Sequence, residues 1–161
     1  MTELRLGLIG LGALGSRIAT RLLRAGAAGS GQAAAALVDF LRAVELLAAS
    51  EVLRIGGRCG LDAGMLLDIG EGLSVIGPIM GGVLRRQVLT REFDSGWALG
   101  HLLKNLETAS SLAQARGVES PLLVACRNAW AAAEARLGSG ADQTALIRWL
   151  ETLAPAAKSE T

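Results

Sequence analysis

A chain of 161 residues has room for one domain, or one domain plus a fragment, and is long enough to bury a core. Hydrophobic residues make up 51% of it and aromatic residues only 3%, with 21 glycines against 3 prolines, the balance of an Ala/Leu-rich helical protein packed by small side chains. A formal net charge of +1 supplies no field that would draw the chain to nucleic acid or anionic lipid, so neither is an expected partner.

Residues 4–9 form a short apolar run with strand character. Glu3 and Arg5 precede a run too short for a signal peptide, and no small-residue cleavage site follows, so the cytoplasm is the expected location. Gly10-Leu11-Gly12-Ala13-Leu14-Gly15 comes next, and then a helical period in which Ile18, Leu22 and Ala25 share one face and Arg17, Arg21 and Arg24 another. Gly26 stops that helix, and residues 27–31 are a hinge of small residues. The spacing predicts a long helix over 32–54, free of Pro and Gly and closed by Gly56-Gly57.

A short helix is expected over 61–69, begun near Asp62, with irregular backbone around Gly70, Gly72 and Gly77-Pro78. The apolar stretch 72–84 raises the question of a membrane span in a chain of mean hydropathy +0.41. It is shorter than the roughly 20 residues a span needs and is broken by Pro78, so no span is predicted. Further helices are expected over 79–88, from an Asp94 or Ser95 cap to Arg116, from the Ser120-Pro121 start to Gly138-Ser139-Gly140, and over 143–153 behind an Asp142 cap. The end from 156 on is expected to fray. Cys59 and Cys126 have no metal-ligand spacing and are expected to be reduced, partly buried thiols. Arg85-Arg86 reads as a solvated face, and Trp97, Trp130 and Trp149 as core or dimer-contact positions.

The glycine turn carries the first chemistry. Gly10 permits a tight turn, Gly12 lets the backbone approach a pyrophosphate, and Gly15 lets helix pack on strand. The helix start then faces the phosphates with free N–H groups. An acidic partner for the ribose belongs about 20 residues further on, at the end of a second strand. Asp39 is the one candidate, with residues 33–38 as that strand, yet four consecutive alanines (Ala33, Ala34, Ala35, Ala36) favour helix instead.

Leu8-Ile9-Gly10-Leu11-Gly12-Ala13-Leu14-Gly15, with Leu22-Leu23-Arg24-Ala25-Gly26, resembles the N-terminal signature of β-hydroxyacid dehydrogenases of the 3-hydroxyisobutyrate dehydrogenase type. Ala13 and Leu14 stand where the family has Asn and Met. Gly29-Ser30-Gly31-Gln32-Ala33-Ala34 resembles the segment that opens the family's long interdomain helix. The two blocks are separated here only by Ala27 and Ala28, so the other strands of the cofactor domain have no counterpart. Downstream the similarity runs through Cys59-Gly60-Leu61-Asp62, Trp97-Ala98-Leu99, Leu103-Lys104-Asn105-Leu106, Arg116-Gly117-Val118 and Asp142-Gln143-Thr144-Ala145.

The fold this implies is mainly α: the residual β-strand, GxGxxG turn and helix of a Rossmann domain (1–28), an all-helical C-terminal dehydrogenase and dimerisation domain (29–154), and a tail (155–161). The implied activity is hydride transfer between NAD or NADP and a 3-hydroxyacid, in a homodimer. The implied cofactor contacts are Gly10, Leu11, Gly12, Ala13, Leu14 and Gly15, together with Lys104, which matches a family lysine that touches the nicotinamide cofactor. Asn105 replaces the family's aspartate beside it.

In the family the long helix carries a catalytic lysine and, one turn later, an amide that orients substrate. Those positions hold Ala35 and Asp39. Ala35 can give no proton to a developing alkoxide, whereas Asp39 could act as that acid within an apolar surrounding that raised its pKa. Leu37-Val38-Asp39 also resembles the Leu-Tyr-Asp stretch of imine reductases, which lack the lysine, so an imine is the alternative substrate. A non-catalytic helical dimerisation module is the reading outside enzymology. His101, the single histidine, has no serine or cysteine partner in the pattern and reads as structural.

Overall fold

The computed structural model describes residues 30–153, and over them the chain is mainly helical. The strand, glycine turn and helix expected before residue 30 lie outside the described residues, as does the tail. Six α-helices follow one another: α1 Ser30–Arg58, α2 Ala63–Gly72, α3 Pro78–Val83, α4 Leu99–Ala115, α5 Pro121–Leu137 and α6 Leu146–Thr152. A π-helical segment, Leu84–Leu89, prolongs α3, and a 3-10 turn, Gln143–Ala145, leads into α6. Among the described residues the only β-type pairing is an isolated antiparallel bridge between Ala98 and Asp142.

The central element is α1, which packs on α2, α4, α5 and α6. Its alanine run continues the helix through residues 33–38, so the alternative of a second strand there is excluded. Ala36, Ala43, Leu46, Ala49 and Leu53 are buried on one side of it, a period of three and four that only a helix satisfies. Small residues on that side let neighbours come close: the Trp130 indole of α5 is fully buried and donates to the carbonyl of Ala43 at 3.3 Å. From α4, Leu99, Leu102, Leu103, Leu106 and Ala109 enter the same core.

The long helix does not stop at Gly56-Gly57 as expected but runs on to Arg58. Gly56 is there for packing rather than termination, because a Cβ on it would meet Leu66 of α2 at 2.3 Å. The chain turns at Gly60 instead, whose φ of +78° glycine adopts without strain. Asp62 caps α2 as expected, accepting from the N–H of Met65 at 2.8 Å.

Cys59 is exposed and Cys126 buried, both as free thiols, which corrects the expectation that both are partly buried. Burial pushes the Cys126 thiol up to about 11, against a smaller pull downward from Trp130. Arg85 is not simply solvated: its guanidinium donates to Asp68 at 2.7 Å and to Glu71 at 3.4 Å, tying the π-helical segment to α2. Of the three tryptophans, Trp130 is in the core, Trp149 packs against it half-buried, and Trp97 is exposed.

Candidate active site

Asp39 sits on α1 with its carboxylate largely covered, at 14% exposure of the side chain. The Asn105 amide of α4 donates to its Oδ2 at 2.6 Å. Arg42, one turn on, places its Nε 3.7 Å from Oδ1 and its guanidinium carbon 4.9 Å over the ring of Trp97. His101 tilts against the other part of that platform, the ring centroids being 6.2 Å apart. Residue numbers fall along α4 as they rise along α1, so the two helices are antiparallel. Asp39 and Arg42 thus face Asn105 and Trp97 in one polar strip. Ala35, at the position of the implied lysine, is exposed one turn before Asp39. Lys104, beside Asn105, is exposed and makes no ion pair among the described residues.

The neighbours of Asp39 are an amide donor and a guanidinium. A carboxylate presented in this way is a proton acceptor for a hydroxyl group and can return the same proton to the oxygen in the reverse direction.

A clamp around Asp142 fixes α4. Neither Asp94 nor Ser95 caps that helix; the N-cap is Ala98, which has no side chain to offer. The first N–H groups of α4 are met by backbone instead, Leu99 by Ala141 at 2.7 Å and Gly100 by Ser139 at 3.0 Å. Asp142 then holds both segments. It accepts from the backbone and hydroxyl of Ser95, at 2.7 and 2.8 Å, and from the backbone N–H of Thr144 at 2.9 Å as the cap of the 3-10 turn. Burial acts to raise its pKa, but the bonds from Thr144 and Ser95 outweigh burial and hold the carboxyl below its ordinary range. Gln143 completes the clamp, donating its backbone N–H to the carbonyl of Trp97 at 2.8 Å.

Two surface clefts lie elsewhere. One of about 640 Å³ opens between the end of α4 and the start of α5, by Gln114, Val118, Pro121 and Arg127. Another of about 430 Å³ lies between the end of α1 and α6, by Arg54, Arg58, Arg91 and Glu151. Neither includes Asp39, Asn105 or Lys104. Among the described residues no group of three or more His, Cys, Asp or Glu side chains could hold a metal ion. No described helix is long and apolar enough to cross a membrane.

The model of one protein family, described as NAD-binding of NADP-dependent 3-hydroxyisobutyrate dehydrogenase, matches residues 29–150. The chain belongs to this 3-hydroxyisobutyrate dehydrogenase family. The match starts at the residue before α1 and ends within α6, so the helical assembly as a whole is what the family shares.

Solved structures agree. A 3-hydroxyisobutyrate dehydrogenase from Salmonella typhimurium superposes with a TM-score of 0.68 at 19% identity, over 74% of this chain and 42% of that one. The Mycobacterium tuberculosis 3-hydroxyisobutyrate dehydrogenase, solved with L-serine, gives 0.64 at 26% identity over 78% and 45%. No curated protein matches. The chain thus aligns with less than half the length of these dehydrogenases.

The sequence singles out Asp39, Lys104 and Asn105 as candidates but not Arg42, which the fold sets beside Asp39. Its spacing of three from Asp39 was a usable signal; the Trp97 platform that holds it was not, because that contact spans two helices. Gly10, Leu11, Gly12, Ala13, Leu14 and Gly15 lie outside the described residues.

Proposed function

We propose that this protein is an NAD(P)-dependent oxidoreductase of the β-hydroxyacid dehydrogenase type in which Asp39 takes the proton-transfer role of the missing lysine. The hydrogen bond from Asn105 to Asp39 carries this reading, because it fixes one carboxylate oxygen and leaves the other to meet a substrate hydroxyl. In the oxidative direction Asp39 accepts the proton of the 3-hydroxyl; in the reductive direction it returns that proton to the carbonyl oxygen. The nicotinamide, when bound, takes up or supplies the hydride. Lys104 suits such a group, since its exposed ammonium has no competing ion pair among the described residues.

The reading assigns residues 1–28 to phosphate contact, through Gly10, Gly12 and Gly15, residues 29–154 to the substrate-facing helical domain, and 155–161 to a tail. It takes a small 3-hydroxyacid as substrate, in keeping with the family, and a cytoplasmic homodimer as the working form. The exposed apolar side chains Leu37, Leu41, Val52 and Ile55 on the outer side of α1 favour self-association.

Titrating the full chain with NADH and with NADPH, followed by nicotinamide fluorescence, tests the cofactor role. Saturation below about 1 mM is expected, with Lys104→Ala about ten-fold weaker through loss of a charge-assisted contact. No binding of either dinucleotide at that concentration removes the enzymatic reading and leaves the helical dimerisation module.

A further inference from the structure

Arg42 is left without a task by the proton transfer at Asp39, yet its setting is that of a binding group. Its Nε lies 3.7 Å from Asp39, beyond hydrogen-bonding reach, and its side chain makes no hydrogen bond among the described residues. At 26% exposure it is too covered to be freely hydrated. The guanidinium carbon lies 4.9 Å over the Trp97 ring, a cation–π contact that uses none of its N–H groups. A guanidinium anchored beside an aromatic ring, with its N–H fork unengaged, suits the planar, two-oxygen acceptor that a carboxylate presents. His101 stands against the same ring, and Lys104 lies one turn further along α4.

We propose that Arg42 is the anion-binding residue of this face, gripping the carboxylate of a small hydroxyacid on the Trp97 platform and thereby presenting its hydroxyl to Asp39. This rests on the reading of Asp39 as the proton-transfer group. The geometry suits a 3-hydroxyacid in particular. One carbon separates its carboxylate carbon from its hydroxyl-bearing carbon, so groups one helical turn apart, with Arg42 Nε 3.7 Å from Asp39 Oδ1, can meet the two ends side by side. Arg42 therefore selects for charge at one end of the substrate, and Asp39 acts on the hydroxyl at the other.

The test is direct binding to the full chain without cofactor, comparing 3-hydroxypropanoate with its uncharged methyl ester. Tryptophan fluorescence gives the readout, and Trp97→Phe assigns the signal to the platform. The acid is expected to bind about ten-fold or more tightly than the ester. Arg42→Gln should erase that preference by weakening the acid alone. Arg42→Lys, which keeps the charge and loses the fork, should recover only part of it. Equal affinities for acid and ester, unchanged acid binding in Arg42→Gln, or no binding of the acid at all would overturn the assignment. Binding and turnover are read separately. An Asp39→Ala chain that still prefers the acid but turns over normally defeats the proton-transfer reading and leaves Arg42 standing.

Discussion

Asp39 and Asn105 form a carboxylate–amide pair whose members are reversed relative to what the family resemblance implies, which is an amide on the long helix and a carboxylate on its partner. The contact itself tolerates the exchange, because an amide and a carboxylate bond whichever helix carries which. Two like groups would not. Asn105→Asp would set two carboxylates within 2.6 Å of each other, and we expect it to destabilise the fold at neutral pH by about 1–2 kcal/mol. The double variant Asp39→Asn with Asn105→Asp should return stability to within about 0.5 kcal/mol of the original. Melting Asn105→Asp below about pH 4, where carboxylates take up protons, should also recover it. Thermal melts of the three chains at two pH values decide the matter, and a single variant as stable as the parent at pH 7 would show that the pair is not formed.

At the scale of elements, the helices were legible where local signals decide and obscure where tertiary contacts do. The Ala/Leu run of α1, the Asp62 cap of α2, the Ser120-Pro121 start of α5 and the Asp142 cap were all readable from residue order. The start of α4 was not, since its N–H groups are satisfied by Ala141 and Ser139, some forty residues away in the chain. Nor was the role of Gly56, whose missing side chain matters only because Leu66 packs there. The Asp142 clamp also sets a pH dependence. Its pKa in the fold is depressed below the ordinary 3.8, and that of Glu151, held by Arg91 at 2.6 and 2.8 Å, below 4.5. A depressed carboxylate stabilises the fold above its ordinary pKa and loses that contribution as pH falls through the lower, folded value. Asp142→Ala should therefore cost about 1–3 kcal/mol at pH 7, through the lost cap and the lost Ser95 contacts, with a smaller cost in acid. Equal costs at pH 7 and pH 2 would contradict this.

For the whole molecule, family membership was legible because agreement in order over most of the chain reflects a shared packing. The site was only partly so. Asp39 could be named as a candidate from its place one turn after Ala35, but its Asn105 partner and the Trp97 ring beside Arg42 depend on how α1 meets the start of α4. The same meeting leaves Leu41 68% exposed and Ile55 61% exposed on the outer side of α1, an apolar face that a second copy could cover. Light scattering at micromolar concentration should give twice the mass of the chain. Leu41→Glu should give the single mass with unchanged helix content, since Leu41 contributes little to the core. A monomeric parent would contradict the dimer.

Proton transfer by Asp39 in the oxidation of a hydroxyacid is read out by the rate of 3-hydroxyacid-dependent reduction of NADP⁺ or NAD⁺ in the parent chain and in Asp39→Ala. Turnover by the parent, with a loss of about 100-fold or more in the variant, is the predicted result. A parent that turns over no 3-hydroxyacid, or a variant as fast as the parent, would contradict it.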